Sequence, residues 1–238
     1  MNLVVKKKRA ANTNLGAKTN NILLTGFQNL SHNAQLKTPL NNSLKRTIQR
    51  QRRVYLPPEP ATLGQIILAY PWTTTGGITQ LPFLIHDSGP QAGANRIIVF
   101  AANDALDHLA SCDTWFMDGN FKVSPIIFDQ IYVIRAKLDT GAISCVYAFL
   151  PGKEQVMYAE LFQALQTEFN RLGIAWNLTT VTCDYERGAY NALRQTFGGN
   201  LRVVGCFFHL KQSTFRKAVE LGLRQYIVDG SPTLDHNI

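Results

Sequence analysis

The sequence predicts an α/β fold, in which a mixed β-sheet is flanked by helices and preceded by a disordered basic N-terminal arm. Three strand-like runs follow one another in the middle of the chain, and helices and strands then alternate. A meander followed by strand–helix units combines antiparallel with parallel pairing in one sheet. The arm is marked by charge: residues 1–53 hold eleven Lys and Arg and no acid, whereas residues 54–238 hold thirteen against sixteen acids.

The folded body is predicted to begin near Pro57-Pro58-Glu59-Pro60, because adjacent prolines cannot continue a helix. A short helix at 62–69 with Thr62 as its N-cap is expected next, and then two strands at 81–89 and 95–100 joined by a Gly/Pro turn. The remaining predicted elements are a helix at 103–110, a strand around Asp118, strands at 128–138 and 142–150, a helix at 153–172, a strand ending on Asp184, a helix at 187–196, a strand at 201–206 and a helix from 207 toward 227.

The two strand-end aspartates, Asp118 and Asp184, are the candidate site. Each follows an apolar or β-rich run, and burying an ionised carboxylate is costly unless an arginine, backbone N–H groups or a metal ion meets it. Acids on the first and fourth strands of the core correspond to the layout of a ribonuclease-H-like fold, in which those strands run side by side. The pattern therefore predicts that the two carboxylates lie within a few ångströms of each other.

The basic arm is rich in Asn, Thr, Ser, Gln and Lys, and we expect residues 1–53 to be largely disordered. Its first basic cluster indicates either nuclear import or a solvated tail, and residues 43–53 either a short basic helix or a linker. Contact with nucleic-acid phosphates suits such an arm. The candidate DNA-binding residues are Lys6, Lys7, Lys8, Arg9, Arg50, Arg52 and Arg53.

Several classes of protein are disfavoured by the composition. The apolar stretch at the start is too short for a signal peptide, and no run has the length of a membrane span. The scattered cysteines are expected to be reduced thiols in an intracellular protein; they are Cys112, Cys145, Cys183 and Cys206.

Three blocks in the body resemble Mutator-like element (MULE) transposases of the DDE/D superfamily. The first is Asp-Gly-Asn-Phe-Lys at 118–122, with Pro125 and Gln130 downstream, and the second is Cys-Asp-Tyr-Glu at 183–186. The third is the Cys-x-x-His block within Gly-Cys-Phe-Phe-His-Leu-Lys-Gln at 205–212. The resemblance covers roughly 54–230 and implies a flanking segment at 54–110 and an incomplete ribonuclease-H-like core at 111–238.

The resemblance implies metal-dependent DNA strand cleavage and transfer. Carboxylates would hold Mg²⁺ or Mn²⁺, which activates water or a 3′-hydroxyl and stabilises the leaving oxygen. Asp118 and Asp184 match the first two acids of the family and are the expected catalytic metal ligands. The third acid of the family lies beyond the Cys-x-x-His block and is not found here; Glu220 resembles an exposed residue rather than that ligand.

Three residues are auxiliary candidates, each with a plainer alternative. Glu186 is also an ordinary acid in the first turn of a helix, where the macrodipole favours it. Cys206 and His209 supply only two of the four ligands that structural zinc needs. His209 is expected either to point toward the acids or the DNA backbone, or to be an ordinary histidine in the first turn of a helix.

Two functions are carried forward. One is a Mutator-like DNA transposase domain in the nucleus, a fragment or defective copy that binds transposon ends and allows a homo-oligomer, without a membrane partner. The other is a non-enzymatic, DNA-associated derivative that binds through its basic arm. An RNA–DNA hybrid nuclease of the same fold is disfavoured because the Cys-x-x-His block has no known role there.

Overall fold

The computed structural model describes residues 19–28, 41–56, 58–76, 79–224 and 226. The chain separates into two compact units, residues 1–60 and residues 61–238. The division falls at the end of the proline cluster, where the body was predicted to begin.

The first unit contains a pair of helices, α1 (Thr19–Gln28) and α2 (Asn41–Tyr55). Their apolar side chains form a small buried cluster of Ile22, Leu23, Leu44 and Ile48. For residues 43–53 the helix is therefore observed, not the linker. The expectation of a largely disordered arm is wrong for these two stretches, because apolar residues spaced four apart in α2 give a polar segment one buried stripe. Residues Lys6 to Arg9 lie outside the described part of the chain.

The second unit is built on one seven-stranded sheet with the order β1-β2-β5-β4-β3-β6-β7. The strands are β1 (Leu84–Asp87), β2 (Ile98–Ala101), β3 (Thr114–Asn120), β4 (Gln130–Leu138), β5 (Gly141–Leu150), β6 (Thr180–Cys183) and β7 (Arg202–Gly205). The helices of this unit are α3 (Asn103–Ser111), α4 (Gln155–Leu172), α5 (Arg187–Phe197) and α6 (Phe207–Glu220). Short 3₁₀ segments lie at Leu63–Gln65 and Pro90–Asn95.

Strand β3 divides the sheet into an antiparallel and a parallel part. On one side β4, β5, β2 and β1 pair antiparallel in turn, and on the other side β6 and β7 run parallel to β3. The antiparallel β4–β5 pair is a hairpin, whereas the parallel pairing of β3 with β6 requires the long connection through α4. The prediction of an α/β fold with a mixed sheet and flanking helices is confirmed.

Trp115 anchors β3 to the core. Its ring is fully buried, contacts the rings of Phe169 and Phe197, and donates its indole N–H to the carbonyl of Leu109 at 2.8 Å. These partners come from α4, α5 and α3, so one side chain links three helices to the strand that carries Asp118. Alternation along the strand then directs Trp115 and Met117 into the core.

Two predicted helices are shorter than expected. The helix at 62–69 is only the 3₁₀ turn Leu63–Gln65, and the Thr62 side chain makes no cap hydrogen bond. The carbonyls of this segment are bound by a side chain instead of by helical N–H groups: the buried Arg96 donates from Nη1 to Leu63 at 2.8 Å and to Ile66 at 3.0 Å. The last helix ends at Glu220 because Gly222 adopts a positive φ of 76° and turns the chain.

The segment at 54–110 is more than a flank, because β1, β2 and α3 belong to the same sheet and core as the rest of the unit. Among the described helices, none is both long and apolar enough to cross a membrane.

Candidate metal centre

Three side chains meet at one edge of the sheet. Asp118 lies near the carboxyl end of β3, Asp184 directly follows β6, and His209 lies in the first turn of α6, just after β7. Because these three strands are parallel, their carboxyl ends open on the same edge. One ligand atom from each residue can be chosen so that all lie within 4.8 Å of one another. The predicted proximity of Asp118 and Asp184 is confirmed, and His209 points toward the acids.

The histidine ring lies between the two carboxylates. Its Nε2 is 3.6 Å from Asp118 Oδ1, and its Nδ1 is 2.5 Å from Asp184 Oδ1. The first distance is too long for a hydrogen bond, and the second contact lacks hydrogen-bond geometry. Asp118 Oδ1 and His209 Nδ1 are therefore buried atoms with no hydrogen-bond partner among the described residues. Buried polar atoms are rarely left in that condition, so the oxygen and the nitrogen are both available to a ligand.

Electrostatics at Asp184 lead to the same conclusion. Burial raises the pKa of its carboxyl, and the charges of Asp118 and Glu186 raise it further, while His209 and Lys153 partly offset them. The ionised carboxylate is therefore short of neighbouring positive charge, which a bound cation would supply.

The donor set fits a small divalent cation. Metal–oxygen and metal–nitrogen bonds of about 2.1 Å place opposite ligands about 4.2 Å apart, close to the span of this group. Two carboxylates favour hard cations such as Mg²⁺, and an imidazole extends the fit to Mn²⁺. The neighbouring thiol adds nothing, because burial first and the Asp184 charge second raise the pKa of Cys183 to about 11 and keep it protonated.

Glu186 lies beside this group and is not part of it. Its carboxylate accepts hydrogen bonds from Lys153 Nζ and from the Tyr158 hydroxyl. Tyr158 in turn accepts a hydrogen bond from Gln130 Nε2 at 2.9 Å, and Gln130 also donates to the carbonyl of Gly152 at 3.1 Å. Glu186 occupies the N-cap position of α5 without a side-chain cap hydrogen bond, and its carboxylate is held by Lys153 and Tyr158 outside the three-residue group.

The other candidates are also placed. Cys206 precedes α6 and lies outside the three-residue group; its backbone N–H donates to the carbonyl of Cys183 at 2.8 Å. Glu220 lies at the far end of the same helix, exposed and paired with Lys217 at 3.1 Å. The described residues therefore bring together two acids and one histidine.

Gly119 is a requirement of the site that sequence reasoning missed. A Cβ at this position would lie 2.2 Å from Gln130 Oε1, and Gln130 is fully buried. The glycine lets the amide lie against β3 directly beside Asp118. The available signal was its position immediately after the aspartate, within the Asp-Gly-Asn-Phe-Lys block.

Two open clefts border the metal centre. A cleft of about 360 Å³ is lined by Asp184, Tyr185, Arg187 and Tyr190. A cleft of about 470 Å³ on the other side is lined by Asp118, Arg135, Phe208 and His209. The group is thus open to a ligand from two directions.

The predicted DNA-binding residues that the structure describes are in the first unit. Arg50, Arg52 and Arg53 lie on α2, and Arg50 and Arg53 are exposed. They belong to a different compact unit from the metal centre.

Comparison of the chain with protein-family models, with curated proteins and with solved structures finds no match in any of the three.

Proposed function

We propose that this chain is a Mutator-like DNA transposase domain that cuts and transfers DNA strands with Mg²⁺ or Mn²⁺. The observation that carries the proposal is the convergence of Asp118 and Asp184 at the carboxyl ends of β3 and β6. Two acids far apart in sequence, each in a block that resembles this family, meet where the chemistry requires them. His209, from the third block, completes the group.

The strand arrangement supports a ribonuclease-H-like core. The antiparallel strands β5, β4 and β3 lie side by side in that order, and β6 and β7 follow next to β3, parallel to it. The acids lie on the first and fourth strands of that set, which are neighbours. Strands β1 and β2 extend the sheet beyond β5 at the opposite edge.

In the proposed reaction, Asp118, Asp184 and His209 hold the cation. The bound metal would activate the attacking hydroxyl or water and stabilise the charge that develops at the phosphate. Lys153 neutralises Glu186 and keeps that carboxylate from repelling an incoming phosphodiester. The exposed Arg135 lines the cleft on the Asp118 side, where it can bind a neighbouring phosphate.

The basic arm provides the proposed DNA contacts and the proposed nuclear-import signal. Residues 1–53 carry no acid, so their attraction to phosphates is unopposed within the arm. We place the protein in the nucleus, bound to transposon ends, and assign Lys6, Lys7, Lys8 and Arg9 to import or to DNA.

A second candidate is a DNA-associated protein without catalysis. The observation that favours it is the ligand count: the described cluster has two carboxylates where the family uses three, and Glu220 is exposed and paired elsewhere. In that case the basic arm would be the functional part.

Calorimetric titration with Mn²⁺ and Mg²⁺ tests the proposal. We expect saturable binding by the whole chain and none by a protein with Asp118→Asn and Asp184→Asn. The matched control is Asp139→Asn, an exposed acid in the β4–β5 turn, which should bind as the parent does. Equal binding by all three proteins, or by none, would overturn the metal site.

Cleavage then separates the two candidates. A labelled DNA duplex incubated with Mn²⁺ should be nicked by the parent protein and not by the double variant. If metal binds and no strand is cut, while DNA is retained through the arm, the non-enzymatic candidate is correct.

A further inference from the structure

The cleft beside Asp184 has a lining that the metal chemistry leaves unused. Tyr185 and Tyr190 expose 63% and 42% of their surface and face the same cleft. Large exposed aromatic side chains are costly to leave in water, and two on one concave surface indicate a flat ligand.

The backbone beneath Tyr185 accommodates its ring. A Cβ on Gly205 would lie 2.3 Å from the Tyr185 ring, so the ring rests on β7 only because residue 205 has no side chain. Tyr190 is held by the Arg194 guanidinium, which lies 5.4 Å from its ring centroid. Both aromatic side chains therefore have defined supports.

The charges in the cleft suit a nucleotide. Arg187 is exposed at the start of α5, between the two tyrosines in sequence, and it has no ion pair among the described residues. Glu186 is already neutralised by Lys153 and hydrogen-bonded to Tyr158. With a cation at Asp184, the cleft presents aromatic surface together with positive charge.

The size and place of the cleft narrow the ligand further. Its volume of about 360 Å³ is at the small end of ligand pockets and suits one nucleotide. Bases stacked in a duplex cannot insert into such a cleft, whereas an unpaired or extruded base can stack on tyrosine.

We propose that this cleft binds a single unpaired base of the DNA strand, next to the phosphate held at the metal centre. The inference rests on the proposed function and makes its substrate class more specific: a strand that is frayed, single-stranded or distorted at the cleavage point. Tyr185 and Tyr190 stack on the base, and Arg187 binds its phosphate.

The experiment compares short single-stranded oligonucleotides of one sequence, intact or with one abasic position, by fluorescence anisotropy in the presence of chelator. The phosphates are the same in both, so the contribution of the basic arm cancels. At one position we expect loss of the base to weaken binding about tenfold. The Tyr185→Leu, Tyr190→Leu double variant should bind intact and abasic strands equally.

Two further variants keep the test specific. Gly205→Ala keeps both tyrosines in the sequence but displaces the Tyr185 ring. This variant should lose part of the discrimination between intact and abasic strands without losing stability. Tyr70→Leu removes an equally exposed tyrosine outside the cleft, 68% exposed, and should change nothing. Full discrimination by the double variant, or equal binding of both oligonucleotides by the parent, overturns the inference.

The outcomes distinguish this inference from the proposed function. If the protein binds the intact strand more tightly than the abasic strand but does not bind Mn²⁺, the metal chemistry is wrong and the base cleft stands. If the protein binds Mn²⁺ but binds both strands equally, the base cleft is wrong and the metal centre stands.

Discussion

Asp87 and Asp184 are both half-buried aspartates at the end of a strand, yet their surroundings shift the pKa in opposite directions. Burial alone would raise the pKa of Asp87, but hydrogen bonds from Arg96 and from the Gly89 N–H outweigh it and lower the pKa. At Asp184 burial and two neighbouring acids raise the pKa. The fold stabilises the ionised form of the first aspartate and disfavours the ionised form of the second. This difference separates a structural acid from a candidate ligand.

The largest effect is expected from breaking the structural pair. Arg96 is 2% exposed, and its guanidinium binds both oxygens of Asp87 at 2.7 Å. Arg96→Met should cost about 3–4 kcal/mol in the free energy of unfolding, since it leaves a partly buried charge and two carbonyls without their donor. Urea unfolding measures this. The comparison variant is Lys217→Met, whose pair with Glu220 is exposed on both sides and should contribute little. Similar losses of unfolding free energy in both variants would show that the Arg96–Asp87 pair stabilises the fold no more than an exposed pair does.

Replacing each aspartate by asparagine should change stability with opposite sign. Asp87→Asn should lower the free energy of unfolding by about 2 kcal/mol at neutral pH, because a lowered pKa stabilises the ionised fold. That loss is present above pH 3.8 and disappears as the pH falls through the lowered pKa of Asp87. Unfolding curves across this range, for parent and variant, provide the measurement.

Asp184→Asn should raise stability, by less than about 1 kcal/mol because the carboxyl is partly solvated. Because its pKa is raised, Asp184 stays protonated to a higher pH in the folded state than in the unfolded chain. The stability gained by the substitution therefore grows as the pH rises through the pKa of the folded protein and vanishes below pH 3.8. The measurement is the unfolding midpoint in chelator. A loss of stability at neutral pH would mean that Asp184 is a satisfied structural acid like Asp87.

Packing beneath the metal centre gives a further test. Gly119→Ala should destabilise by about 1–3 kcal/mol, because its Cβ would collide with the buried Gln130 amide. Gly199→Ala is the control, since a Cβ there meets nothing within 4 Å. Thermal unfolding of the two variants should differ clearly; equal midpoints would show that Gln130 can move.

The parts of the structure that are encoded locally were predictable. Alternating apolar residues define the strands, and acids at strand ends with motif-like neighbours identified Asp118 and Asp184. Contacts between distant residues were not predictable in the same way. The Tyr158–Glu186 hydrogen bond and the Arg96 contacts that replace the helix at 62–69 depend on tertiary packing. The buried stripe of α2 was recognised as a helical alternative, but its partner α1 was not predicted, because its short apolar run lies in a segment rich in Asn and Thr.

Helix α6 carries His209 but buries none of its own residues. The histidine that reaches between Asp118 and Asp184 is therefore also one of the few anchors of its helix. Any cation that binds all three residues must then lower the free energy of the docked helix by mass action, by about 2.7 kcal/mol at a hundredfold excess over its Kd. Amide hydrogen exchange along Phe207–Glu220 should slow in proportion to metal occupancy, which makes this helix a reporter of the site.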